Sequence, residues 1–372
     1  MTPTLTADPI LAPLASWFEL NRRRLPWRAR DLDAPHPDPY AVLVSELMLQ
    51  QTQVATVTPY FERWMARFPD VASLAVAEDD AIHKLWEGLG YYRRARFLRQ
   101  AACAIAEVGW PKDVHGLGKL PGIGPYTAAA LAAIALQQPE PALDGNAFRV
   151  LARLLAIRED PRQRAAFLGD WLRPALQAFG PSRITQAVME LGATLCTPRP
   201  SCAACPLSTV CQAHQSGLTG SIPAPKVRAA VKEETLWVVA FHAAGQWLLL
   251  PPKDSGLLAG LWRWPVLDRS SDPRMDHVAE APEAYPSNHL RRWKGWTQVY
   301  SHRKEAVEPV AIELDQPIEV PGACWMSDSE LPTLPMGKRD QKLRDLLEQP
   351  ALSCADPKLL AELIRRVRTV KA

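Results

Sequence analysis

The hydrophobic pattern changes its period near residue 216, and a chain that does this must build two kinds of core. From about residue 8 to 215 the apolar residues recur at helical spacing. The stretch "DPYAVLVSELMLQQTQVATV" opens with Asp38 as an N-cap and Pro39 at the first helical position. "YTAAALAAIALQQ" and "NAFRVLARLLAI" read as two buried helices, and "ITQAVMELGATLC" as a helix that leads into a cysteine-rich loop. "HQSGLTGSIPAPKVRAA" then supplies Gly, Ser, Pro and cations without an apolar period, which marks a linker. Beyond it, "TLWVVAF" and "QWLLL" flank "HAAG" as a β-hairpin, and "AVEPVAIEL" reads as a further strand despite its proline. The expected organisation is an all-α domain over 1–215, a linker over 216–232, a mixed α and β domain over 233–348, and a helical tail over 349–372.

A chain of 372 residues has room for two proper cores and needs no covalent staples. The N-terminal stretch places its cations after its apolar residues and does not read as a secretory signal, and no stretch approaches a transmembrane span. Seven cysteines, an odd number with no oxidising address, point to a reducing compartment, so the expected location is the cytoplasm. The net charge of +3 says little about partners. The runs "NRRR", "YYRRARFLR" and "RRWKGW" say more, because cations mixed with aromatics suit phosphate and base contacts, although solvated helix faces look the same.

Four of the cysteines, Cys196, Cys202, Cys205 and Cys211, follow a Cys-x5-Cys-x2-Cys-x5-Cys spacing in "LCTPRPSCAACPLSTVC". In a reducing compartment such a cluster reads as a metal site, zinc or iron-sulfur. Zinc ribbons use two close Cys-x2-Cys pairs, whereas four thiolates on one short loop suit a cubane cluster.

Three further features carry chemistry. In "LPGIGPYTAAALAAIAL", Gly122 and Gly124 allow a tight turn, and Pro125 starts a helix whose first amides point outward as an anion cradle, with Thr127 beside them. Asp144 precedes an apolar helix, which makes it an ordinary N-cap and also a carboxylate that a helix dipole keeps ionised. Glu46 lies on a helix side shared with Val42, Leu43, Leu49 and Gln50, so burial should raise its proton affinity, as a general acid requires. Two carboxylates in unequal surroundings are the usual apparatus for cleaving a glycosidic bond.

"LPGIGPYTA", the Asp of "LDGN" and the four-cysteine loop together resemble the helix-hairpin-helix DNA glycosylase superfamily that includes endonuclease III. "LPWR", "SELMLQQTQVATVTPYFERWMARFP" and "WEGLGYYRRAR" narrow the resemblance to adenine DNA glycosylases of the MutY type. The resemblance implies an all-α helix-hairpin-helix domain, a six-helix barrel beside a [4Fe-4S] loop, followed by an α+β Nudix-like domain. It also implies double-stranded DNA as partner, with adenine opposite 8-oxoguanine or guanine flipped out by a monomeric enzyme.

By the same resemblance Glu46 is the acid that protonates adenine at N7, and Asp144 the carboxylate that meets the sugar carbon. Asn146 helps to place Asp144 or a water. Bifunctional relatives carry a lysine where this chain has Tyr126, so a monofunctional glycosylase is implied. Gln51 and Tyr91 match residues wedged into the duplex, and Arg28 matches one lining the adenine pocket. Cys196, Cys202, Cys205 and Cys211 match the cluster ligands, with one residue fewer between the first two than the family pattern has. Tyr300, Ser301 and His302 stand where the family recognises 8-oxoguanine, and the Nudix hydrolase box is missing from 256 to 295. The rival readings are an endonuclease III-like glycosylase for oxidised pyrimidines and a catalytically silent iron-sulfur DNA-scanning protein.

Overall fold

The computed structural model describes residues 7–224, 231–253, 258–268, 290–300, 303–353 and 357–370. The chain forms two compact units, one made of Met1–Ala77 with Arg94–Val227 and the other of Glu78–Arg93 with Arg228–Ala372. Helical periodicity alone groups Glu78–Arg93 with its sequence neighbours, yet these residues pack within the second unit.

In chain order the first twelve helices are α1 (Ala7–Asn21), α2 (Pro39–Leu49), α3 (Val54–Arg67), α4 (Val71–Ala75), α5 (Asp79–Trp86), α6 (Arg93–Val108), α7 (Val114–Leu117), α8 (Pro125–Leu136), α9 (Gly145–Leu154), α10 (Ala165–Phe179), α11 (Pro181–Thr194) and α12 (Gln212–Gln215). In the first unit, α2 is buried from Tyr40 to Met48 and α8 from Thr127 to Ala135. A helix that is apolar all round belongs in the centre of a bundle, and the alanines of α8 allow close approach there. Asp38 caps α2 by accepting from Ala41 N at 3.1 Å, and Pro39 follows at the first helical position. A second core joins Leu11, Leu14 and Phe18 of α1 to Leu151 of α9, Leu172 of α10 and Ile184 of α11.

The second unit is built on a mixed sheet of β1 (Lys232–Ala243), β2 (Gln246–Leu249), β3 (Val266–Asp268), β4 (Leu290–Arg292), β5 (Trp296–Val299), β6 (Arg303–Glu313), β7 (Cys324–Ser327) and β8 (Leu352–Ser353), with helices α13 (Lys338–Leu347) and α14 (Pro357–Val367). The order is β7-β2-β1-β6-β4-β8, with β3 added on β1 and β5 on β6. Strands β1 and β6 run parallel, from Lys232 opposite Arg303 to His242 opposite Glu313. The expected β1–β2 hairpin turns through Ala244 and Gly245, both at positive φ (50° and 73°), as a two-residue type I′ turn demands.

Trp237, Val239 and Phe241 face α14, whereas Val238 and Ala240 join Leu343 of α13 on the other face. A strand covered on both sides has no polar face to show, which explains the unbroken run "LWVVAF". Pro309 sits between the part of β6 paired with β5 and the part paired with β4, where the outer edge asks for no donor. The expected helical tail is thus a packed layer of the sheet.

Candidate active site

A cavity of about 890 Å³ opens within the first unit, lined among others by Arg28, Glu46, Gln51, Tyr126, Asp144 and Asn146. Glu46 comes from the middle of α2, Tyr126 from the first turn of α8, and Asp144 from the cap of α9. Tyr126 donates its hydroxyl proton to Glu46 Oε2 at 3.1 Å. Glu46 is 8% exposed, and burial pushes its carboxyl up to about 7, against the pull of the Tyr126 hydrogen bond and with a push from the Asp144 charge. The acid expected from the sequence is thus half protonated near neutral pH.

Asp144 Oδ1 accepts from Ala147 N at 2.6 Å, and Asn146 Nδ2 donates to Oδ2 at 3.1 Å. Burial still lifts Asp144 above the ordinary carboxylate range, although these hydrogen bonds and the Arg149 charge oppose it. The expected N-cap is thus in place, with desolvation opposing the hydrogen bonds it accepts. Arg149 extends the chain of contacts, donating to Asn146 Oδ1 and to Gly192 O, each at 2.8 Å, and to Cys196 O at 2.8 Å.

Sequence reasoning missed two residues. Glu190 of α11 is buried and receives Arg23 Nε at 2.6 Å and Arg28 Nη2 at 2.7 Å, so Arg28 enters the cavity as half of a charge pair. Burial alone would raise Glu190, but the two guanidiniums win and hold it below the usual range. A charged residue inside the apolar run "AVMELGA" was the available signal, the same one that exposed Glu46. The other is Arg94, buried in α6, whose Nη1 donates to Leu47 O, Met48 O and Gln50 O at 2.9, 2.7 and 2.6 Å. It thereby satisfies the free carbonyls at the end of α2 and fixes the turn in which Gln51 takes φ 58°.

The expected tight turn lies between α7 and α8. Gly122 has φ 73°, and a Cβ there would lie 2.3 Å from Phe97, so only glycine fits. Gly124 is the exposed N-cap of α8 and offers no side-chain hydrogen bond, which leaves the helix amides for an external acceptor. Thr127 is buried one turn on and receives Gln50 Nε2 at 3.4 Å. Tyr91 belongs to the second unit, exposed at φ 49°. Tyr300 closes the β5–β6 hairpin by donating its N–H to Arg303 O at 2.8 Å, and burial pushes its phenol up to about 12. Ser301 and His302 lie outside the described residues.

Comparison with known proteins identifies the family. Residues 44–174 match the family described as HhH-GPD superfamily base excision DNA repair protein. The adenine DNA glycosylase of Homo sapiens is 35% identical over 385 residues, covering 86% of this chain and 70% of the human protein. The chain belongs to the adenine DNA glycosylase family. The family's Mycolicibacterium smegmatis member is 39% identical over 58% of this chain and 73% of its own length. Its Arabidopsis thaliana member is 38% identical over 70% of this chain, which spans only 48% of the plant protein. As a DNA glycosylase of base excision repair, the chain has DNA as its partner, and among the described residues no helix is long and apolar enough to cross a membrane.

The resemblance read from the sequence implies a [4Fe-4S] cluster on the four-cysteine loop. Cys196, Cys202, Cys205 and Cys211 are free thiols in the first unit. Burial pushes Cys205 up to about 11, and the charges of the other three add to the rise, so the four lie within electrostatic reach of one another. Arg153 donates to Cys196 Sγ at 3.5 Å and to Thr197 O at 2.6 Å and Pro198 O at 3.1 Å, which pins the shortened first arm. Among the described residues no three metal-ligating side chains close around a point. By chemistry the donor set fits, since it is four thiols on one short loop, as a cubane cluster requires.

Proposed function

We propose that the chain removes adenine paired with 8-oxoguanine or guanine and leaves an abasic site, acting as a monomer on double-stranded DNA. The observation that carries this reading is the convergence of Glu46, Tyr126 and Asp144 on one cavity, with Glu46 at about 7. A flipped adenine enters the cavity, because the glycosidic bond of a stacked base is out of reach. Neutral Glu46 gives its proton to N7, the bond from N9 to C1′ breaks, and adenine departs as the neutral base. Asp144 meets the positive sugar carbon, by its charge or by a transient bond, and Asn146 holds it in place. Water then supplies hydroxide to C1′, and its remaining proton restores the carboxyl pair.

Tyr126 has no amine, so no Schiff base forms and the strand stays intact. The amides at the start of α8 bind a backbone phosphate, with Gly122 and Gly124 clearing the approach. Gln51 and Tyr91 occupy the duplex beside the opposing base, and Arg28 borders the adenine. Tyr300, Ser301 and His302 recognise 8-oxoguanine from the second unit. Cys196, Cys202, Cys205 and Cys211 hold a [4Fe-4S] cluster that supplies a rigid anchor for the loop after α11.

The test is single-turnover incubation with an 8-oxoguanine:adenine duplex followed by alkali. Strand scission at the adenine is expected only after alkali. No scission would overturn the adenine reading, and scission before alkali would overturn the monofunctional one.

A further inference from the structure

Residues Glu78–Arg93 lie in the sequence between helices of the first unit and pack within the second. Three of their side chains reach 332–336, the stretch just before α13. Glu87 Oε1 accepts from Met336 N at 3.1 Å. Lys84 Nζ donates to Pro332 O at 2.8 Å and pairs with Glu87 Oε2 at 2.9 Å. Tyr92 donates its hydroxyl to Met336 O at 3.4 Å and accepts from Gly88 N at 3.3 Å. Met336 is itself fixed, fully buried and bridged in parallel to Trp262. On another side, Gly260 at φ 80° lies so close to His83 that a Cβ would stand 2.3 Å from the ring.

The loop between these anchors has a shape that few sequences adopt. Gly88, Gly90 and Tyr91 all have positive φ (91°, 75° and 49°), and Trp86 Nε1 donates to Gly90 O at 3.1 Å. A tyrosine in the left-handed region persists only where its surroundings over-determine it. Glu87 and Tyr92, on either side of it in the chain, both dock on Met336. The outcome is a tyrosine 46% exposed on a loop staked at both ends.

We infer that Glu87 is a positioning residue, through which the second unit holds Tyr91 in the shape it presents to DNA. The inference rests on the proposed wedge role of Tyr91. It adds a second route by which this unit governs the mispair, besides the Tyr300 hairpin. Toward 332–336 the carboxylate acts through its acceptor oxygen, because the group it meets there is the backbone N–H of Met336.

The experiment is a double-mutant cycle in the full-length chain, read as affinity for a duplex with 8-oxoguanine opposite a 2′-fluoro-adenosine that resists cleavage. Glu87→Ala is expected to weaken binding on the order of tenfold, and by less than about twofold in a Tyr91→Ala background. Glu87→Gln keeps the acceptor oxygen and should bind like the parent. Gly260→Ala, which breaks the strap from its other side, should repeat the Glu87→Ala result. An equal loss in both Tyr91 backgrounds would overturn the inference, as would no loss in either. The readout is binding, so a failure here is distinct from a failure of the alkali assay, which tests excision itself.

Discussion

The descending limb of the pH-rate profile should belong to Glu46, and its position follows from burial. A glutamate at 4.5 would be protonated in roughly one molecule in 300 at pH 7, whereas at about 7 half the molecules carry the proton, a gain of about 150-fold in competent acid. The rate of adenine release at sub-saturating enzyme reports the groups of the free protein. Measured from pH 5 to 9 under single-turnover conditions, it should fall tenfold per unit above about 7, while duplex affinity at the same pH values separates binding from chemistry. Glu46→Gln should lose that limb and slow excision by roughly 10²-fold or more, yet still bind the duplex. The same shift has a stability consequence. With its folded value raised, neutral Glu46 contributes stability that is complete below its unfolded value of 4.5 and is lost as pH rises through about 7. The loss is about 3 kcal/mol at alkaline pH, so Glu46→Gln should melt above the parent at pH 8.5, with the gap less than half as large at pH 5.5 and closed below 4.5. A rate that stays flat from pH 6 to 9, or a limb near 4.5, would refute the reasoning.

Further outcomes follow from neighbouring contacts. Tyr126→Phe removes the hydrogen bond that lowers Glu46, so the descending limb should move to higher pH, which the same profile reads. Gly122→Ala must displace Phe97 and strain a left-handed backbone, and should cost about 1–3 kcal/mol by denaturant titration while weakening DNA binding. Glu190→Ala strands Arg28 without its partner and should destabilise the first unit by about 3 kcal/mol, most visibly as a lowered thermal midpoint. Purified protein should be brown with absorbance that Cys205→Ser diminishes; colourless protein carrying stoichiometric zinc would overturn the cluster.

The sequence disclosed residues whose local chemistry is unusual for their place, and concealed those whose meaning comes from distant partners. Glu46 was legible because a carboxylate on an apolar helix side is conspicuous, and Asp144 because an N-cap has a recognisable local pattern. That the two share a cavity depends on how α2, α8 and α9 cross, which no spacing reveals. Glu190 shows the same conspicuous pattern as Glu46, but its guanidinium partners lie more than 160 residues earlier in the chain. Arg94 sat unnoticed within a cationic run that reads as a solvated face, although its side chain is buried against the end of α2. The switch from helical to strand periodicity revealed both cores. It could not reveal that Glu78–Arg93 crosses between them, since an amphipathic helix carries the same pattern whichever core it covers.

That crossing has a temporal side. A chain made from its N-terminus releases α5 about 150 residues before β1 emerges to begin the sheet of the unit to which α5 belongs. Until then the growing chain carries this amphipathic helix without Met336 and Gly260, against which its segment packs. For the same reason, a cut at the linker separates Glu78–Arg93 from the rest of the unit in which it packs. Such a fragment keeps Glu78–Arg93 and loses Met336 and Gly260, so a defect seen in it reports a stranded segment as well as a missing recognition domain.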